Sequence, residues 1–159
     1  MWRPMQERDL PRAAAIAAVV HPDFPEDDAV FADRLQLYPQ GCHVLMRDDT
    51  VAGYILSHPW HDGAPPALNT LLGGLPPSPP VYYIHDLALM HSARRGGAGA
   101  AIVRDLIAHA RQAGFLSAAL VAVNDSEPFW HRLGFRPAGS SVNLASYGGN
   151  ARYMTLPLR

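Results

Sequence analysis

The feature that most limits what this chain can fold into is the run Arg94-Arg95-Gly96-Gly97-Ala98-Gly99-Ala100, set between a strand-like stretch and a helical one. On its N-terminal side, Val81 to Met90 is rich in β-branched, aromatic and aliphatic residues. This is the pattern of a buried central strand, interrupted by His85 and Asp86. On its C-terminal side, Ile102, Val103, Leu106, Ile107 and Ala110 share one helical face between Ala98 and Ala113. Arg104, Asp105 and Arg111 lie off that face, and Gly114 can cap the end. A helix start leaves backbone N–H groups unpaired and carries partial positive charge. Glycines at 96, 97 and 99 allow a diphosphate to approach those amides without meeting a Cβ, with two arginines beside it. A merely tight strand-to-helix turn is the other reading of the same residues. A dinucleotide fingerprint does not fit, because GxGxxG needs a third glycine where Ile102 stands.

Around this unit the order of elements reads as one α/β domain over residues 1–159. Trp2 to Met5 is extended. Asp9 is placed to cap a helix with Pro11 in its first turn, continuing through Ala13 to Val20. The prolines between His21 and Glu26 break it, and Asp27 to Leu37 resumes a helical pattern. Gly41 to Met46 and Thr50 to Leu56 form a hairpin about the polar turn Arg47-Asp48-Asp49. Pro59 to Pro80 holds seven prolines and three glycines, too many for a regular element. It reads as a long loop packed on the body through its leucines, or as a disordered insertion. Leu116 to Val123 is a second buried strand, Ser126 to Leu133 a short helix, and Arg152 to Leu158 a closing strand.

Composition narrows the function. The net charge is −1 and there is no long basic run, so neither a nucleic acid nor an anionic membrane is expected as partner. The uncharged stretch from Gly63 to Ile84 contains six prolines, which rules out a spanning helix there. All 13 basic side chains are arginine, which excludes a Schiff-base lysine and a Walker-type phosphate loop. The one cysteine, Cys42, forms no internal disulfide or metal cluster and reads as a small apolar packer. With charged residues already in the first ten positions and no apolar leader, a cytoplasmic location is expected. No metal is expected: His58 and His61 flank Pro59 and Trp60 in the loop without further ligands at suitable spacing. Trp60 and His61 either line an acceptor pocket or form an aromatic cover. There is no GxSxG elbow.

The spacing of Arg94, Gly97 and Gly99 resembles the RxxGxG signature of the GNAT (GCN5-related) N-acetyltransferase superfamily. Upstream, Tyr83 to Leu89 looks like that family's fourth strand. Downstream, Asn124 ends a strand that looks like its fifth, and Phe129-Trp130-His131-Arg132-Leu133-Gly134-Phe135 is similar to its FYxxLGF helix motif. Three motifs in order, over about Val81 to Pro137, are far more specific than one. The resemblance implies a mixed, mainly antiparallel central sheet with helices on both faces and with strands four and five splayed. It implies acetyl-CoA as co-substrate, its pyrophosphate on the amides of Arg95, Gly96, Gly97, Ala98, Gly99 and Ala100 beside Arg94. Its pantetheine arm would lie along Leu87, Ala88 and Leu89, with Asn124, Phe129 and Trp130 adjacent. The implied reaction moves an acetyl group directly to a primary amine of a small molecule, with a protein or peptide amine as the alternative acceptor. A homodimer is common for this architecture.

An alkylamine of pKa about 10.4 is protonated at neutral pH, so a base or a water relay must take its proton. Strand alternation puts Tyr83, His85 and Leu87 on one face and Ile84, Asp86 and Ala88 on the other, unless a bulge intervenes. His85 is the first candidate for the base, since imidazole titrates near working pH and the resemblance extends to arylalkylamine acetyltransferases with a histidine there. A core histidine satisfied by hydrogen bonds is the competing reading. Asp86 is the other candidate for the base, and is read in preference as structural or as orienting a partner from the opposite face. The Leu87 N–H is the candidate donor to the carbonyl oxygen as it gains charge. The family's tyrosine acid is replaced by Trp130, which has no useful acidity, so a non-catalytic acyl-CoA sensor stands as an alternative. His131, Tyr147 and Tyr153 are acid candidates by chemistry alone.

Overall fold

The computed structural model describes residues 1–139 and 141–159. Seven strands form one sheet in the order β1-β2-β3-β4-β5-β7-β6, with β1 (Trp2–Pro4), β2 (Cys42–Arg47), β3 (Thr50–Trp60), β4 (Val81–Leu89), β5 (Ser117–Ala122), β6 (Arg136–Pro137) and β7 (Arg152–Pro157). All neighbours are antiparallel except β4 and β5, which are parallel. Helices α1 (Leu10–Val20) and α2 (Asp28–Leu37) cover one face. Ile16 and Phe31 pack there against Val44, Tyr54, Leu56 and Ala88. The other face carries α3 (Ala98–Gln112) and α4 (Glu127–Arg132), where Val103, Leu106 and Trp130 meet Ile55, Ile84, Leu120 and Met154. The mixed, mainly antiparallel sheet with helices on both sides is as the resemblance implies.

Two departures in β4 shape the centre of the molecule. Its ladder with β5 stops at Ile84 opposite Leu120, although β4 continues to Leu89. The two strands are splayed, and the edge of β4 beyond Ile84 has no ladder partner on that side. On its other side, Leu56 pairs with Asp86 but Ser57 pairs with Ile84, so His85 is an extra residue with no opposite number in β3. This bulge shifts the strand's phase by one. Asp86 therefore joins His85 and Ala88 on the α1–α2 face, where its carboxylate meets the Tyr54 hydroxyl, while Leu87 goes with Ile84 to the α3 face. The alternation expected from sequence applies only without a bulge; with the bulge present, Asp86, Leu87 and Ala88 exchange faces.

Two further expectations change, while the long loop is packed on the body as expected. Asp9 occupies the N-cap position of α1 but makes no cap bond. Its carboxylate instead accepts from the Gln6 amide at 2.8 Å and from both terminal nitrogens of Arg3 at 2.8 and 2.9 Å. Strand β3 runs on through Pro59 to Trp60, so His58 is a buried strand residue rather than part of a loop. The long loop begins at His61 and is tied down. Asp33 accepts from the Leu72 amide at 2.9 Å, Arg34 donates to the Thr70 carbonyl at 2.7 Å, and Asn69 bridges Asp27 and Glu26. Among the described residues no helix is long and apolar enough to cross a membrane.

Candidate active site

The glycine run builds the first half of the site. Gly96 and Gly97 have left-handed backbone, with φ of 96° and 77°, and Gly97 is the N-cap of α3 without a side-chain cap. Among the described residues, no protein acceptor meets the amides from Arg95 to Ala100. A Cβ built on Gly96 or Gly97 would meet nothing within 4 Å. The result is an open row of donors at the positive end of a 15-residue helix, a suitable seat for a diphosphate. Arg94 is fixed by its Nε, which donates to the Leu89 carbonyl at 3.1 Å, leaving the rest of the guanidinium for an anion. From the far edge of the sheet, Trp2 Nε1 donates to the Ala98 carbonyl at 2.9 Å.

Beside this turn lies a cleft of about 890 Å³ that follows the parting of β4 and β5. Leu87, Leu89, Arg94, Gly97, Gly99, Ala100, Asn124, Phe129 and Trp130 all line it. Gly99 lies under Phe129 and Leu87, whose atoms would come 3.4 and 3.7 Å from a Cβ there. Ala88 is buried under α1 and α2 instead, and Arg95, Gly96 and Ala98 belong to the turn without lining the cleft. Trp130 is a packing residue, set edge-on to Phe129 and Phe135 and only 6% exposed. His131 is exposed and outside the cleft, and Trp60 and His61 also lie outside it, stacked edge-on to each other. Tyr153 is engaged elsewhere, its hydroxyl oxygen accepting from the Gly63 amide at 3.1 Å.

The second half of the cleft is polar. His85 and Asp86 lie together on one face because of the bulge, and each is paired with a residue from the loop between α1 and α2. His85 Nε2 is 2.9 Å from Glu26 Oε1, and His21 Nε2 is 2.9 Å from Asp86 Oδ1. The other nitrogen of His21 meets the Asn124 side-chain amide at 2.7 Å, across the parting of the strands. Burial alone would push the Glu26 carboxyl up, but the His85 hydrogen bond and charge hold it below its usual value. Asp86 is likewise held low against burial, by His21, His85 and the Tyr54 hydroxyl. His21 is raised above its ordinary value, because Asp86 outweighs the burial of the ring. Tyr147 also reaches the cleft wall, and burial with the nearby Glu26 charge pushes its hydroxyl up to about 12.

Sequence reasoning missed His21 and Glu26. Both stand in a short proline-broken segment with nothing local to link either to β4. Their partners are 65 and 59 positions away: His21 to Asp86, and Glu26 to His85. Only a charged loop following an alanine-rich helix hinted at them.

The chain belongs to the Acetyltransferase (GNAT) family, whose sequence profile matches residues 5–135. Among solved structures it is similar to the GphF GNAT-like decarboxylase in complex with isobutyryl-CoA, with a TM-score of 0.80, 18% identity and all of both chains covered. It is also similar to the loading GNATL domain of CurA from Lyngbya majuscula, with a TM-score of 0.78, 13% identity, and 99% and 97% covered. A third is Ard1 from Thermoplasma volcanium, with a TM-score of 0.75, 18% identity, and 99% and 96% covered. No curated protein matches the chain in sequence.

Proposed function

We propose that this protein is an N-acetyltransferase that moves an acetyl group from acetyl-CoA to a small primary amine. The observation that carries the reading is the pairing of two unlike halves in one cleft, unblocked amides at the start of α3 and ionised carboxylates, Glu26 and Asp86, beside the parted strands. The amides and Arg94 would hold the pyrophosphate, and the free edge of β4 at Leu87 and Leu89 would pair with the pantetheine arm. Bound there, acetyl-CoA supplies an activated acyl group. The Leu87 N–H is the donor for the carbonyl oxygen as it gains charge. Glu26 and Asp86 favour an ammonium-bearing acceptor, and the two imidazoles that face them are the routes by which its proton can leave. The cleft volume suits a small molecule rather than a peptide.

The sensor reading draws on Trp130, which packs where a tyrosine acid would be expected. One experiment separates the two. The protein is mixed with acetyl-CoA and a panel of small primary amines, and free thiol is followed. Release that depends on the amine is expected. No release with any amine, or release indifferent to the amine, overturns the transferase reading in favour of an acyl-CoA binder.

A further inference from the structure

Two imidazole–carboxylate pairs face the cleft, and they are not equivalent. His85 is the more deeply set, with a side chain 1% exposed. Its ring lies near those of His58 and Tyr83, at 6.3 and 6.4 Å, and it lines the cleft from a deeper position than His21. Its Nδ1 is buried with no partner. His21 is 14% exposed and stands over the parting itself, with Asp86 of β4 on one nitrogen and Asn124, just past the end of β5, on the other. Asp86 is in turn fixed by the Tyr54 hydroxyl. This is the arrangement of a base and its orienter, an imidazole whose Nε2–H points at a fixed carboxylate and whose Nδ1 lone pair faces the gap, covered by a displaceable side-chain amide.

We propose that His21, oriented by Asp86, is the proton acceptor for the incoming ammonium group, and that His85 is a positioning residue that holds Glu26. This rests on the transferase reading given above. In the step, His21 Nδ1 takes one proton from R–NH₃⁺, with the amine displacing the Asn124 amide. The freed nitrogen lone pair forms the C–N bond to the thioester carbon beside the Leu87 N–H. The C–S bond then breaks, the sulfur leaves with its electron pair, and the second proton on nitrogen goes to that thiolate. His21 returns its own proton to solvent. The sum is one amide, one free thiol and one released proton, with no oxidant or metal required.

The groups against His21 are Asp86 and the Leu87 backbone of β4, Glu26 of its own loop and Asn124 after β5; His85 and the Tyr54 hydroxyl reach it through Asp86, and Tyr147 lines the same cleft. The carboxylates favour the imidazolium, so His21 must lose its proton before it can act, and kcat/KM should fall on the acid side of an inflection above 6.5. The test uses the full chain, acetyl-CoA and whichever panel amine turns over fastest. His21→Ala should lower kcat/KM by about 100-fold or more and remove the acid inflection, and added imidazole should restore part of the rate. Asp86→Asn should move the inflection to lower pH. His85→Gln should raise the KM for the amine while leaving the inflection in place. Independently of turnover, the ring resonances of His21 followed by NMR should titrate above 6.5 in the wild type and lower in Asp86→Asn. An inflection that survives in His21→Ala, or that disappears with His85→Gln, overturns the assignment while the transferase reading stands. Failure of every amine overturns both. Coenzyme A affinity measured by calorimetry, unchanged in His21→Ala, shows that the variant has folded.

Discussion

Two glycines show how the same residue type serves opposite purposes. A Cβ at Gly41 would stand 2.1 Å from the Ser57 carbonyl oxygen, a backbone atom that cannot step aside. Gly41→Ala should therefore lower stability by about 2–3 kcal/mol, read as a fall in the midpoint of urea unfolding at constant slope. At Gly97 a Cβ meets only open space, yet the backbone is left-handed and the open space lies over the amides of α3. Gly97→Ala should cost only about 1 kcal/mol of stability but weaken coenzyme A binding at least tenfold by calorimetry, because the methyl group occupies the ligand's approach. If the affinity is unchanged, the pyrophosphate does not sit on this turn.

The long loop is an element in its own right, although it has no regular structure. Asp33 of α2 holds the amides of Leu72 and Gly73, at 2.9 and 3.4 Å, and the chain between Asn69 and Thr70 is gripped by Glu26, Asp27 and Arg34. Asp33→Ala should speed limited proteolysis within residues 70–80 and raise the KM for the amine, leaving the dissociation constant for coenzyme A as it was. Equal weakening of both ligands would show that the loop is not specific to the acceptor end. The nucleotide half of the site was legible in the sequence because it is local. Arg94, Gly97 and Gly99 are within six residues, and the strand before them and the helix after them announce themselves by periodicity. The acceptor half was not, since it depends on one unpaired residue in β4. Nothing in Tyr83-Ile84-His85-Asp86-Leu87 says that β3 will skip His85, and without that skip Asp86 is placed on the wrong face and His21 has no partner. Strand β3 extends past the Leu56 limit that the sequence suggests, because Pro59, which reads as a breaker, is accommodated opposite Tyr82.

For the molecule as a whole, sensitivity to mild acid comes from imidazoles that burial keeps neutral, His43 and, more strongly, His58. His58 is fully buried, and burial pushes its ring down to about 3 despite its contact with the Pro59 carbonyl. The unfolded chain binds a proton near 6.5 that the native state refuses, so stability falls as pH drops below 6.5. Asp9, Glu26 and Asp86, all held low, lose their contribution only when the pH falls further, below the ordinary carboxylate range. His21 works the other way, stabilising below 6.5 and ceasing to as the pH rises through its raised native value. Between pH 7 and pH 5 the wild type should lose about 2 kcal/mol more than His58→Phe, measured by urea unfolding of each at both pH values. Equal losses would remove His58 from this role. The contacts that finish the cleft are also far apart along the chain. Trp2 meets Ala98 across 96 positions and His21 meets Asn124 across 103. A nascent polypeptide that has not yet reached Asn124, Phe129 and Trp130 thus has the glycine turn but not the opposing wall, so during synthesis the nucleotide seat precedes the cleft it opens into.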